Sequence, residues 1–253
     1  MWRAAATVLW ISMAGAAAAQ ALLTPAWDDI CALGSERETG CAAIRDRQTV
    51  TASERPWSAI GRVNFASTDI RSHCTGVLIG ERLVLTAAHC LWNAPRKRWI
   101  PPESLRFVAG YQQGRAAAVS NVRGYRMDPS QGRAGVFDTR VAVDWALLEL
   151  AEPIGRDVGT LPLATSGEAP FAAGYPALRP HLLSRTDNCA TRRTAEGLLR
   201  AHCPLMKGDS GAPLLTEGPE GLRVLGILSR VAPTPKGIEA VFLPYALFGV
   251  DET

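Results

Sequence analysis

The strongest constraint on this chain is its punctuation. Glycine (23 residues) and proline (17 residues) recur along its length, and between them lie only short runs of Val, Leu and Ile. Glycine admits turn conformations that other residues resist, and proline removes a backbone donor. Short apolar runs cut in this way suit strands better than long helices, so the texture predicts an all-β sandwich or barrel. Regular structure is expected from Pro56-Trp57 onward. Ser58 to Phe65 reads as a strand, Cys74 to Gly80 as a second, Glu81-Arg82 as a turn and Leu83 to Thr86 as a third, together a hairpin meander. Leu105 to Val108, Ala116 to Val122 and Val224 to Leu228 read as further strands.

The chain opens Met1-Trp2-Arg3 and then runs uncharged from Ala4 to Ala19. One basic residue, a short apolar stretch and small residues at the exit describe a secretory signal peptide over residues 1–19. An uncleaved anchor is the alternative, but the run is alanine-rich and shorter than the ~20 strongly apolar residues a span needs. The product is expected to be secreted or periplasmic, with no membrane association after cleavage. Six cysteines suit that compartment: Cys31, Cys41, Cys74, Cys90, Cys189 and Cys203 fall as locally spaced pairs. Cys31 and Cys41 could close a small loop, while Cys74 and Cys90 flank one hairpin, where a bridge would pin the loop bearing His89. No C-x-x-C occurs, so no metal is expected and no cofactor is called for. The net charge of +3 is too mild to imply nucleic acid. Ala26 to Val50 is polar and charged, without clear period, and residues 20–47 are set apart from the main domain. They read either as a prosegment or as an N-terminal arm packed on the main domain.

Three residues carry candidate chemistry, and each has an ordinary alternative. Ser210 sits in Lys207-Gly208-Asp209-Ser210-Gly211-Ala212-Pro213-Leu214, where small neighbours allow a tight turn with an exposed hydroxyl. The same composition also describes a plain turn. His89, in Ala87-Ala88-His89-Cys90, stands at a strand end with room to face a cleft; a hydrogen-bonded core imidazole is the alternative. Asp144 heads the apolar strand Val143 to Leu150 and needs partners if buried. It could equally cap a turn. Their order along the chain is His, Asp, Ser, which differs from the Asp, His, Ser and Ser, Asp, His orders of other hydrolases.

These blocks, Leu85-Thr86-Ala87-Ala88-His89-Cys90, Asp144-Trp145-Ala146-Leu147-Leu148 and Gly208-Asp209-Ser210-Gly211-Ala212-Pro213, resemble the three signature blocks of trypsin-like, chymotrypsin-fold serine proteases. Pro56-Trp57 and Cys74-Thr75-Gly76 resemble that family's early strands. Ser58-Ala59-Ile60-Gly61-Arg62 and Gly174-Tyr175-Pro176 are closer to its bacterial, V8-like branch. The likeness spans about residues 44 to 245. It implies two six-stranded antiparallel β-barrels with the site in the cleft between them, the first over residues 48–160 and the second over 161–253, with the crossing near Leu161-Pro162-Leu163.

The resemblance also implies roles. His89, Asp144 and Ser210 would form a triad hydrolysing peptide bonds through an acyl-enzyme, with Gly208 and Ser210 N–H groups as oxyanion hole. Ser229, Arg230 and Val231 would line the substrate backbone. Arg230 stands where relatives often carry an aromatic, so it either reshapes the pocket rim or is a solvated strand-end arginine. Pro204 occupies the position of the trypsin-type aspartate, and Leu228 that of the histidine of glutamate-specific relatives. Together with Leu205 and Val231 they favour a small or apolar residue before the scissile bond. A Cys189–Cys203 bridge is implied in the second barrel, leaving Cys31 with Cys41. Relatives pair a new N-terminal ammonium with the aspartate before the nucleophile, here Asp209, so removal of the segment holding Cys31 and Cys41 is the expected activation. The expected partner is a protein or peptide substrate, met by a monomer. A non-catalytic binding protein on the same fold and an esterase are the competing readings. The first usually lacks a triad residue, and Ala212 breaks the G-x-S-x-G elbow of the second. His73, His181 and His202 read as surface or structural.

Overall fold

A computed structural model describes residue 31 and residues 40–66, 71–187 and 189–249. The leader expected over residues 1–19 lies outside them. In the first half, side chains alternate as a one-sided sheet requires: along Leu105–Ala109, Leu105, Phe107 and Ala109 are buried while Arg106 is exposed. Six strands close a barrel in the order Ile60–Ala66, Arg71–Gly80, Leu83–Thr86, Ala146–Leu150, Ala118–Met127 and Leu105–Ala109, which returns to Ile60–Ala66. Val63, Leu78, Leu85, Phe107 and Leu147 are buried in its apolar core. Closure removes the exposed edges that an open sheet would present.

The second half is an eight-stranded antiparallel sheet. Its order is Gln48–Thr49, Ser184–Arg185, Phe171–Gly174, Pro213–Gly218, Gly221–Thr234, Gly237–Pro244, Leu199–His202 and Arg192–Arg193. Ala172, Leu214, Leu228 and Phe242 belong to a second apolar cluster beneath it. The all-β, chymotrypsin-like class expected from the sequence is the observed one. Leu161-Pro162-Leu163 touches both sheets, as the crossing should. Leu161 N–H donates to the Leu78 carbonyl at 2.8 Å, and Val224 N–H donates to the Pro162 carbonyl at 2.8 Å.

Regular structure starts earlier than Pro56. A short helix, Cys41–Arg45, and the strand Gln48–Thr49 precede it. Both belong to the far side of the molecule: Ile44 is buried in the second cluster, and Gln48–Thr49 pairs with Ser184–Arg185 although it was grouped with the first barrel. One buried isoleucine in a charged stretch leaves no periodic trace. The strand expected from Ser58 begins at Ile60, after a 3-10 turn over Trp57–Ala59. The strand expected to end at Val122 continues to Met127 across a register shift between Val122 and Gly124.

Three disulfides join Cys31–Cys41, Cys74–Cys90 and Cys189–Cys203. No helix among the described residues is long and apolar enough to cross a membrane.

Candidate active site

Asp144 follows a 3-10 turn, Val141–Val143, and opens onto the barrel strand Ala146–Leu150. Its carboxylate is buried, 2 % exposed, and a buried charge needs donors. It has three. Oδ1 accepts the His89 backbone N–H at 2.8 Å, Oδ2 accepts from His89 Nδ1 at 2.8 Å, and the Ser229 hydroxyl donates to Oδ2 at 2.5 Å. Since an ionised carboxylate only accepts, Nδ1 carries a proton, and in the neutral imidazole Nε2 is then the nitrogen with the lone pair. His89 lies in a 3-10 turn, Ala88–Leu91, straight after the strand Leu83–Thr86, and the Cys74–Cys90 bridge ties that turn to the neighbouring strand. Cys74, His89 and Cys90 cluster within 4.8 Å, but both sulfurs are in the disulfide and offer no thiolate to a metal.

Ser229 reaches Asp144 because its strand bulges. Along Gly221–Thr234, Leu228 pairs with Phe242 and Arg230 with Val241, so Ser229 is the extra residue in the ladder. The bulge turns its hydroxyl away from the pairing and into the carboxylate.

The Ser210 turn is clasped by the first barrel. Thr75 N–H donates to the Ser210 carbonyl at 2.8 Å, and the Thr75 hydroxyl donates to the Gly208 carbonyl at 2.9 Å. Cys90 Sγ stands 3.9 Å from the Ser210 carbonyl, a contact only, since its sulfur is bridged. Gly211 sets the closeness of the fit. Its φ is +77°, and a Cβ there would stand 2.3 Å from Thr86 Oγ1 and 2.9 Å from Ala87 N, just before His89. On its other side Gly211 N–H donates to the Leu228 carbonyl at 2.8 Å, next to Ser229. The three candidates are therefore brought to one seam: His89 and Asp144 from the barrel, Ser210 from the second sheet.

Gly208 has φ +92°, and a Cβ would stand 2.3 Å from the Tyr175 carbonyl. The Lys207 carbonyl accepts from Ala177 N–H at 2.8 Å. In a trans peptide the N–H opposes the carbonyl, so Gly208 N–H points away from Ala177. The loop after Phe171–Gly174 thus fixes which way this peptide faces.

Asp209 is fully buried, and its partner is Arg47. Arg47 Nη1 lies 2.8 Å from Oδ2, both side chains being almost fully enclosed. Met206 N–H donates to the same oxygen at 3.0 Å, and Arg47 Nη2 donates to the Ser184 carbonyl at 2.5 Å. Burial pushes the Asp209 carboxyl above its ordinary range, and the guanidinium and the Met206 N–H oppose that push. Gly174 makes the space, because a Cβ there would stand 2.6 Å from Asp209 Oδ1. Sequence reasoning sought an ammonium for Asp209 and overlooked Arg47, one of several arginines in a polar stretch with no local signal to set it apart.

The expected substrate-lining residues divide. Leu205, Leu228 and Val231 are buried, and Pro204 is half-buried. Arg230 is half-buried, and its side chain donates to the Thr139 carbonyl in an exposed contact. His73, expected to be structural, abuts Gly208: that missing Cβ would be 2.8 Å from its Nε2.

This fold and seam define a protease of the trypsin-like class. The family profile of the trypsin-like peptidase domain matches residues 74–227, more than half of the chain, and the chain belongs to that family. Among solved structures it is similar to a Glu endopeptidase in complex with MPD, with 18% identity over 79% of this chain and 92% of that one, TM-score 0.64. It is also similar to the protease Anisep from Arthrobacter nicotinovorans, with 16% identity over 79% and 93%, TM-score 0.61. A thermostable serine protease AL20 from an extremophilic microorganism shares 18% identity over 74% and 91%, TM-score 0.58. At such identities the likeness is one of fold. Comparison with curated proteins finds no significant match.

Proposed function

We propose that the protein is an exported serine endopeptidase in which Ser210 is the nucleophile, His89 the general base and acid, and Asp144 the group that orients His89. The observation that carries this reading is the set of three hydrogen bonds converging on Asp144, which leaves the His89 Nε2 lone pair as the proton acceptor. Ser210 Oγ attacks the scissile carbonyl carbon while its proton passes to Nε2. The C–N bond then breaks as Nε2 returns that proton to the leaving amine. Water repeats the sequence on the acyl-enzyme and frees Ser210. Gly208 and Ser210 N–H groups would receive the oxyanion, each such donor being worth ~2.7–4 kcal/mol in enzymes of this kind.

The acyl half of the substrate would pair along Ser229–Val231 as an added strand. Leu205, Leu228 and Val231, with Pro204 in place of an acid, favour a small or apolar residue before the scissile bond. Three disulfides and the leader read over residues 1–19 favour export. A removable segment must end before Arg47, since a cut after it would take away the partner of Asp209. Labelling with a fluorophosphonate tests the assignment: the wild-type chain should react at Ser210, and Ser210→Ala should lose both label and peptide hydrolysis while remaining folded. Undiminished hydrolysis by that variant overturns the assignment.

A further inference from the structure

One face of the barrel beside Gly208 carries positive charge that the chemistry above does not use. Arg62 and Thr75 sit opposite each other in the ladder between Ile60–Ala66 and Arg71–Gly80, and Asn64 sits opposite His73. Opposed and next-but-one residues share a sheet face, so Arg62, His73 and Thr75 project together. Thr75 grips Gly208 and Ser210, which puts that face against the nucleophile turn. The loop after Phe171–Gly174 continues the patch. Arg62 Nη1 donates to the Pro180 carbonyl at 2.9 Å, and its guanidinium carbon lies 4.8 Å from the centre of the Tyr111 ring. The Tyr111 hydroxyl lies 2.6 Å from Nδ1 of the exposed His181. Lys207, also exposed, immediately precedes Gly208 and is bound through its carbonyl to Ala177 in the same loop.

The residues register one another electrically. His73 is held down at about 4, by burial first and then by the Arg62 charge, with smaller contributions from His181 and Lys207 and only the hydrogen bond to the Tyr175 carbonyl opposing. The carboxylate next in sequence, Asp209, is buried and committed to Arg47. The strip also has a side. The acyl half of a substrate is assigned to Ser229–Val231, which meets the nucleophile turn through Leu228. The leaving half must depart across the opposite flank, where Arg71–Gly80 clasps the turn.

We infer that the strip from Arg62 and His181 to Lys207 receives a carboxylate just beyond the scissile bond. The enzyme therefore prefers peptides whose leaving half begins with Asp or Glu within its first two residues, or ends there in a free C-terminus. This rests on the catalytic reading of Ser210 given above. A cationic strip at the exit attracts an anionic leaving half and repels a basic one, an effect that salt weakens.

Internally quenched peptides with one fixed acyl half and Asp, Glu, Ala or Lys at the first two positions after the scissile bond test it. The acidic peptides should show kcat/KM about tenfold above the alanine peptides at low salt, falling toward parity in ~1 M NaCl. Lys207→Gln, at an exposed side chain, should lower the acid-to-alanine ratio several-fold; Arg62→Gln should do the same, and the salt series on the wild-type chain needs no variant. Paired peptides ending two residues past the bond as free acid or amide separate side chain from chain end, and a gain from either supports the strip. Equal rates for acidic, neutral and basic leaving halves, or faster cleavage of the lysine peptides, overturn it. Failure of the catalytic reading looks different: no peptide is cleaved and Ser210 takes no fluorophosphonate.

Discussion

Arg47 and Asp209 form a closed ion pair at 2.8 Å, joining the arm that precedes the first barrel to the residue before the nucleophile. A guanidinium from within the chain thus stands where a freed N-terminal ammonium was expected, and Asp209 has its counter-charge without a cut at that point.

Arg47→Met should therefore be severe. Removing one partner of a buried pair leaves an uncompensated charge and costs about 3–5 kcal/mol. We expect a large drop in melting temperature together with loss of peptide hydrolysis. Proteolysis after Arg47 should likewise inactivate, whereas a chain retaining Arg47 should be active. N-terminal sequencing of active and inactive species checks this, and an active form beginning at Gln48 would count against the role given to Arg47.

Asp144→Asn should keep the fold but lower kcat by about 10⁴-fold, because an amide can donate to Nδ1 and favours the wrong tautomer. Ser229→Ala removes one of three donors and should cost far less, on the order of tenfold, equal to ~1.4 kcal/mol. Steady-state kinetics on both variants, with circular dichroism as the folding control, gives the order of effects.

Gly211→Ala should reduce stability and activity together. The new methyl would stand 2.3 Å from Thr86 Oγ1 and 2.4 Å from the Thr75 carbonyl, at a φ of +77° that alanine resists. Prying the Ser210 turn off the His89 strand should lower kcat more than it raises KM. A variant with wild-type kinetics would mean the turn can move without consequence.

His73 predicts acid sensitivity. The unfolded chain takes a proton near the ordinary imidazole value of 6.5, while the folded chain, with His73 depressed to about 4, refuses it until then. Stability should fall as pH drops from about 6.5 to about 4 and lose on the order of 3 kcal/mol from this group. His73→Gln keeps a donor for the Tyr175 carbonyl and should flatten that slope in a series of urea melts.

Local composition was enough for much of this. Short apolar runs between turn residues announced the strands, and Leu83–Thr86 began and ended where read. The small residues around Ser210 marked a tight turn, and Gly208 and Gly211 there take φ values of +92° and +77°. These signals survive in one dimension because they depend on a residue's own backbone freedom and on the period of its neighbours.

The order His89, Asp144, Ser210 and the spacing of the cysteines were decided by the sequence alone, and so was the β texture. That Arg47 is the partner of Asp209, that a bulge aims Ser229 at Asp144, and that Arg62 reaches the Pro180 carbonyl were decided only by the tertiary structure. Charge pairing and bulge placement depend on distances across sheets. Side chains 162 positions apart along the chain, as Arg47 and Asp209 are, acquire their interaction energy only when packing removes the water between them.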